Sequence, residues 1–106
     1  MALSKKNILA FGSDINGNER WQIKTYDIEN GILKHIMGDN NDINNVGAWN
    51  KGGEKLAFSS TNRNGMDFDI YIYTIGRGVE GPIIKLDGRN DVNTWIDSEH
   101  LLILHG

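Results

Sequence analysis

The sequence repeats itself at a spacing of 46 to 47 residues, and this periodicity restricts the possible folds more than any other feature. A shift of 47 aligns ILAFGS (8–13) with KLAFSS (55–60), and WQIKTYDI (21–28) with FDIYIYTI (68–75), without a gap. A shift of 46 aligns Trp49 with Trp95, and the apolar run 56–58 with 102–104. A period in the range of roughly 20–50 residues is typical of tandem structural units that bury each other's apolar faces.

Each repeat has the pattern of β-strands. In DIYIYTI, residues 69–75, apolar or aromatic side chains occupy both alternating faces, and β-branched and aromatic residues dominate. A strand that is apolar on both faces has to be covered on both. No stretch of the sequence shows a convincing helical period, so we expect other sheets to provide the cover.

Turn signals separate the strands at short intervals. Asn16-Gly17 and Asn64-Gly65 predict hairpins within the two copies, and Asn30-Gly31 predicts the next turn. Asn50-Lys51-Gly52-Gly53 predicts a tight turn between the strand that ends in Trp49 and the strand KLAFSS (55–60). Pro82 is placed at the start of a fourth strand, where its missing N–H is tolerated.

A unit of four antiparallel strands at this period predicts the blade of a β-propeller, since propeller repeats run to about 40–45 residues in a well-known class. The fold class expected is therefore all-β, a β-propeller fragment of about two four-stranded antiparallel blades. A partial blade at 1–42 begins with its second strand (7–13), a complete blade covers 43–87, and the first two strands of a further blade cover 88–106. A plain antiparallel sandwich is the alternative.

Two blades and part of a third are too few for a ring, which needs about four to eight. An open stack leaves apolar sheet faces in water. We therefore expect either that the segment belongs to a longer protein or that it associates with copies of itself.

The composition limits the kinds of binding partner and the cellular compartment that we expect. The 106 residues carry a net charge of −3, which argues against a nucleic-acid partner. There is no cysteine, so no disulfide is expected. The apolar stretch near the start is too short for a signal peptide, and no segment has the length of a membrane span. We expect a cytoplasmic protein that does not associate with membranes.

The segment GEKLAFSSTNRNGMDFDIYIYTI (53–75) resembles the propeller repeat shared by TolB and the prolyl oligopeptidase family of serine peptidases. The shared pattern is W-x-x-x-G-x-K-[LI]-A-F-x-S, then N-x-G, then D-[IL]-Y. Residues 12–36, the segment 67–71 and Asn90-Asp91-Val92 resemble the acylaminoacyl-peptidase branch more than TolB. The resemblance extends over nearly the whole chain, although the first turn has Gly52-Gly53 where the family has Asp-Gly.

This resemblance implies a propeller that caps an α/β-hydrolase domain and restricts access to its Ser-Asp-His triad. The present sequence matches only the cap, because it contains no G-x-S-x-G nucleophile motif. Catalysis is then expected downstream of Gly106. The partners implied are the hydrolase domain and, indirectly, a peptide substrate. The alternatives are a TolB-like protein-interaction propeller and a scaffold that assembles from copies of itself.

Candidate metal ligands do not form a recognisable ligand set. Residues 14–19 place oxygen side chains at alternate positions, but the glycine and glutamate positions of a calcium loop do not fit, and the aligned copy at 61–66 lacks the acids. The acidic cluster 39–42 is interpreted as a solvated connection. His35, His100 and His105 have no ligand spacing. No metal or cofactor is predicted.

The remaining polar and aromatic candidates are assigned structural roles. Trp49 and Trp95 are expected to be equivalent packing residues, and Asp69 and Gln22 to hydrogen-bond backbone in each blade. Serines with no adjacent base are expected to hydrogen-bond at strand ends rather than act as nucleophiles; they are Ser13, Ser59 and Ser60. No catalytic, cofactor-binding or metal-binding residue is predicted.

Overall fold

A computed structural model describes residues 2–13, 22–38, 42–85, 88–97 and 99–105, with only the backbone described at 105. The described residues form ten β-strands and no helix. The strands form three antiparallel sheets. The all-β prediction is confirmed, and the arrangement is consistent with a fragment of a propeller that is not closed.

The strands follow one another in sequence order within each sheet. The first sheet contains β1 (Ala2–Leu3), β2 (Ile8–Ser13), β3 (Gln22–Asp27) and β4 (Ile32–Met37). The middle sheet contains β5 (Asn44–Trp49), β6 (Lys55–Ser60), β7 (Asp69–Thr74) and β8 (Gly78–Ile84). The third sheet contains β9 (Asn90–Trp95) and β10 (Leu101–His105).

Two strands differ from the sequence-based expectation. The first sheet has a short first strand, because Ala2 pairs with Ala10 and Leu3 with Leu9; two residues are too few to show a period. The strand β8 begins at Gly78 rather than at Pro82. As β8 lies at the edge of its sheet, the missing N–H of Pro82 need not interrupt the pairing.

The middle sheet is covered on both faces, as the pattern of β7 predicts. On one face Leu56, Phe58, Tyr71 and Tyr73 form a buried cluster that includes Ala10 and Ile23 of the first sheet. The Phe58 and Tyr71 rings stack with centroids 5.6 Å apart.

Side chains alternate along a strand, so Ala57, Ile70 and Ile72 point to the opposite face. All three are buried, and β9 of the third sheet packs against β6 and β7. The covers are sheets, as expected.

The first strands of the sheets lie next to one another. β5 packs against both β1 and β9, while β4 and β8 lie at the far edges of their sheets. At Gly47 of β5, an added Cβ would overlap the Ala57 carbonyl oxygen and lie 2.7 Å from Val92 Cβ. Glycine is therefore required for this close approach. The first strands, called the inner strands below, pack against one another.

The two aligned tryptophans have the same contact. Trp49 Nε1 donates to the Ala2 carbonyl oxygen (3.0 Å), and Trp95 Nε1 donates to the Ala48 carbonyl oxygen (2.8 Å). Each indole thus joins the first strand of its own sheet to the first strand of the preceding sheet. Their predicted equivalence as packing residues is confirmed in this geometry.

In each of the three sheets a turn joins the first strand to the second. The turns differ in length, but the same backbone hydrogen bond closes each of them; we call this bond the base of the turn. The base is a hydrogen bond from Ser4 N to Ile8 O in the first sheet and from Asn50 N to Lys55 O in the middle sheet, each 2.8 Å. In the third sheet it joins Ile96 N to His100 O at 2.7 Å.

The middle turn has one residue more than the other two, and this corrects the alignment of the third repeat. Trp95 pairs with Leu101 as Trp49 pairs with Leu56. The apolar run equivalent to 56–58 is therefore 101–103, and the sequence-based match to 102–104 is wrong by one position.

Candidate docking surfaces

The face of the first sheet that points away from the middle sheet is apolar. We call it the first outer face and define it by Leu3, Leu9, Phe11, Tyr26 and Leu33. Leu9 and Phe11 flank Ala10, which points into the core. Leu9 pairs with Leu3 on one side and with Tyr26 on the other, and Tyr26 pairs with Leu33. Leu3 is 60% exposed and Leu33 is 58% exposed.

This face repeats the surface that the middle sheet buries against the first sheet. In the middle sheet Leu56 pairs with Trp49 on one side and with Tyr73 on the other, and Tyr73 pairs with Val79. Phe58 takes the place of Phe11. The first outer face therefore has the residue types of a blade-to-blade interface, but no described element covers it.

The third sheet presents to solvent a second face, which is apolar along β10 and polar along β9. We call it the third outer face and define it by Asp91, Thr94, Leu102 and Leu104, which form two cross-strand pairs. Leu102 is 44% exposed and Leu104 is 58% exposed. By the corrected alignment, Leu102 stands at the position of Ala57 and Leu104 at that of Ser59. These are positions of the middle sheet that face the third sheet.

Two open grooves follow the boundaries between sheets. The groove between the first and middle sheets has a volume of about 360 Å³ and includes Lys34, His35, Tyr73 and Arg77 in its lining. Nε2 of His35 lies 2.8 Å from the Gly38 carbonyl oxygen.

The groove between the middle and third sheets has a volume of about 220 Å³. Its lining includes Ile72, Ile83, Trp95 and Leu101 together with charges of both signs. Both grooves are mixed in character, and neither gathers the groups of a catalytic site.

A buried polar cluster closes one end of the middle sheet. The Asp69 side chain is fully buried, and its carboxylate accepts from Arg63 Nε (2.6 Å) and Arg63 Nη2 (3.0 Å). The expectation that the Asp69 side chain bonds backbone is wrong: the hydrogen bonds that its carboxylate accepts come from the Arg63 guanidinium. Nearby, Asn62 Nδ2 donates to Asp42 Oδ2 at 2.9 Å. These contacts join the turn after β6 to the start of β7 and to the segment before β5, which is a structural role.

The serines and Gln22 of the sequence analysis lie in structural environments. Ser59 and Ser60 are buried, and Ser60 Oγ accepts from Asn62 N at 3.1 Å. Ser13 is half-buried at the end of β2. Gln22 Nε2 donates to the Gly38 carbonyl oxygen at 3.5 Å, a backbone contact of the kind expected.

Of the other predicted candidates, His100 Nδ1 lies 2.8 Å from Asp97 Oδ2 in an exposed turn. Residues 14–20 and 39–41, with their acidic positions, lie outside the described residues, as does the His105 side chain. Within the described ranges there is no group of three or more His, Asp or Glu that could hold a metal ion.

Several turn carboxylates have lowered pKa values because they accept hydrogen bonds. The Asn30 side chain lowers the pKa of Asp27, and the Asn50 side chain lowers that of Glu54. The pKa of Asp67 is lowered chiefly by the Gly88 backbone N–H, and that of Asp97 by the Glu99 backbone N–H. Burial raises the pKa of Tyr71 and Tyr73. These shifts belong to turns and to the core.

Comparisons with family models, curated proteins and solved structures gave no significant match. In the part of the chain that the structure describes, no helix is long and apolar enough to cross a membrane. The candidate functional surfaces are therefore defined by geometry alone. They are the two outer faces and the grooves between the sheets.

Proposed function

We propose that this segment is part of the propeller domain of a cytoplasmic serine peptidase of the prolyl oligopeptidase type. Its role is non-catalytic: it restricts substrate access to an α/β-hydrolase domain whose sequence is not among these 106 residues. The observation that carries the proposal is the placement of the motif segment 53–75. It supplies β6 and β7, the central strands of a four-stranded sheet that packs between two related sheets.

The physical contribution of such a segment is steric. The middle sheet buries both of its faces, and the Trp49 and Trp95 indoles tie successive sheets together at their inner strands. A propeller domain built from such sheets admits small or extended peptides through its openings and excludes folded proteins. Ser59 and Ser60 are buried within the sheet, so neither hydroxyl is open to a substrate.

Labelling with a fluorophosphonate probe tests this proposal. The natural gene product that contains the segment should react at one serine outside residues 1–106, within a G-x-S-x-G motif. The 106-residue chain alone should not react and should not hydrolyse aminoacyl esters. A natural gene product that contains the segment but has no probe-reactive serine would refute the peptidase assignment. Reaction of the isolated 106-residue chain with the probe would also refute it.

A TolB-like protein-interaction propeller is the second candidate. The observation that favours it is the exposure of leucine side chains on both outer faces, which suits binding to another protein surface. The same labelling experiment separates the two candidates. A natural gene product that has no hydrolase region supports the interaction propeller, whereas a gene product with a labelled serine supports the peptidase.

A further inference from the structure

We propose that the groove between the first and middle sheets binds an acidic peptide in extended conformation, which adds as a further strand to the edge of β4. We call it the basic groove and define it by four residues of its lining, Lys34, His35, Tyr73 and Arg77. The two sheets that form this groove are both four-stranded. The proposal does not depend on whether the segment belongs to a peptidase.

The edge of β4 is suited to the addition of a strand. β4 is the last strand of the first sheet, and its residues 32–35 are exposed and pair with β3 in unbroken register. The equivalent edge strand of the middle sheet, β8, contains Pro82, which has no N–H, and Gly81 with a φ of 135°. Such residues discourage strand addition. β4 contains neither, so its outward N–H and C=O groups can bind an extended peptide.

The lining of the basic groove is positively charged. It includes Lys34 and Arg77, and no acid is found among its described residues. Neither side chain forms an ion pair with a carboxylate of the described chain. Asp27 is close enough to Lys34 for its pKa to be lowered, first by the Asn30 side chain and less by Lys34. Its oxygens, however, accept hydrogen bonds from Asn30 and Glu29. Peptide carboxylates are therefore the complementary partners of the two cations.

The other groove shows that this positive charge is not common to the boundaries between sheets. The groove between the middle and third sheets includes Lys55 and Arg77 in its lining, but also Glu80 and Glu99. Lys55 Nζ lies 3.7 Å from Glu99 Oε2, so this cation is already compensated. The whole chain has a net charge of −3 and should repel an acidic peptide elsewhere. Attraction should be confined to the basic groove.

Tyr73 supplies a hydrogen-bonding group to the basic groove. The residue is only 7% exposed, but its hydroxyl has no hydrogen-bond partner among the described residues. It is also absent from the described side-chain atoms that are fully buried without a partner. The hydroxyl therefore reaches the water of the groove that Tyr73 lines. A peptide carbonyl or carboxylate oxygen can replace this water and accept from the Tyr73 O–H.

A second copy of the chain fits the same edge less well than an acidic peptide. Antiparallel pairing of two β4 strands about their centre would place Lys34 of one copy opposite Lys34 or His35 of the other. Like charges directly opposite each other destabilise a strand pair. A strand with an acid at every second position instead places carboxylates on one face, where Lys34 and Arg77 can bind them.

Fluorescence anisotropy with a labelled peptide tests the proposal. The probe is the heptapeptide Thr-Glu-Thr-Glu-Thr-Glu-Thr, and analogues with Gln or Lys in place of Glu should bind at least about tenfold more weakly. Lys34→Glu and Arg77→Glu should each weaken binding of the acidic probe about fivefold. Tyr73→Phe should weaken it about threefold through loss of one hydrogen bond. Lys51→Glu, at an exposed lysine outside the groove, is the matched control and should bind like the unsubstituted chain.

N-methylated probes distinguish strand addition from attraction to charge alone. In an extended peptide the N–H groups of alternate residues point to opposite edges, so methylation at the glutamates blocks one edge and methylation at the inner threonines blocks the other. One methylated probe should bind like the unmodified probe, and the other should bind about tenfold more weakly or less.

Three outcomes would overturn the proposal. The first is equal binding of the two methylated probes, whether strong or weak. The second is the lack of saturable binding of the unmodified probe at up to about 1 mM. The third is a dimer of the unsubstituted chain that the probe dissociates, since a second copy would then be the occupant of the edge.

Discussion

Replacing Arg63 with Ala tests how far the buried end of the middle sheet depends on one ion pair. The Asp69 side chain has no exposed surface, and both of its oxygens are held by the Arg63 guanidinium. Removing one partner of a fully buried pair costs about 3–5 kcal/mol, because the other charge is left without compensation. The Arg63 side chain is 34% exposed, so water can replace part of the lost interaction. We expect a loss of about 2–3 kcal/mol in the free energy of unfolding.

Such a loss is a large part of the total stability of a small domain, which is about 5–15 kcal/mol. It corresponds to a decrease in Tm of about 10 °C or more. Asp69→Asn should be less destabilising, since Arg63 then remains partly exposed and still lies 3.8 Å from Asp67.

Urea unfolding followed by circular dichroism, at a concentration low enough to avoid association, measures both effects. A double-mutant cycle of Arg63→Ala and Asp69→Asn should give a coupling energy of about 1.5 kcal/mol or more. Arg77→Ala is the matched control at an exposed arginine and should change stability by less than about 0.5 kcal/mol. A coupling energy below about 0.5 kcal/mol would refute the reasoning.

Three further predictions concern acid stability, the inner strands and the indole contacts. Carboxyl groups whose pKa is lower in the folded than in the unfolded chain stabilise the fold at pH values above the ordinary carboxyl pKa. This stabilisation is lost as the pH falls through the lowered values. The urea concentration at the unfolding midpoint should therefore be constant near neutral pH and decrease below about pH 4. The carboxyl groups concerned are those of Asp27, Glu54, Asp67 and Asp97, and Asp67→Asn should reduce the acid dependence. Gly47→Ala should destabilise by about 2–3 kcal/mol in urea unfolding through overlap with Ala57 and Val92, whereas Gly65→Ala, which has open space but a positive φ, should cost about 1 kcal/mol. Trp49→Phe and Trp95→Phe should each cost about 1 kcal/mol in thermal melts through loss of one indole hydrogen bond, and markedly unequal losses would contradict their equivalence.

The parts of the fold that could be predicted from the sequence are those with a strong local pattern. The strand β7 carries apolar side chains on both faces and therefore requires cover on each side; the lack of a helical period elsewhere in the sequence pointed to sheets as that cover. The equivalence of Trp49 and Trp95 follows from the repeat, and the structure places both indoles in the same contact. Local pattern and tertiary packing agree in these regions.

The features that were missed depend on contacts between distant residues. The strand β1 exists because two residues pair with β2, and two residues carry no periodicity. The Asp69 carboxylate is bound by Arg63 across a turn, and its only local signal was a cation six residues before a buried acid. The error of one position in the third repeat arose because a turn changed length while the strands on either side kept their pairing.

That difference in turn length has a practical consequence for protein engineering. The three turns that follow β1, β5 and β9 are closed by the same backbone pair, although the middle one has an additional residue. Within the middle turn, Asn50 Nδ2 donates to Glu54 and the Gly53 carbonyl oxygen accepts from Ser4 Oγ, whereas Lys51 is exposed. Foreign peptides inserted at Lys51 should therefore be displayed at the rim without disturbing the strands beneath.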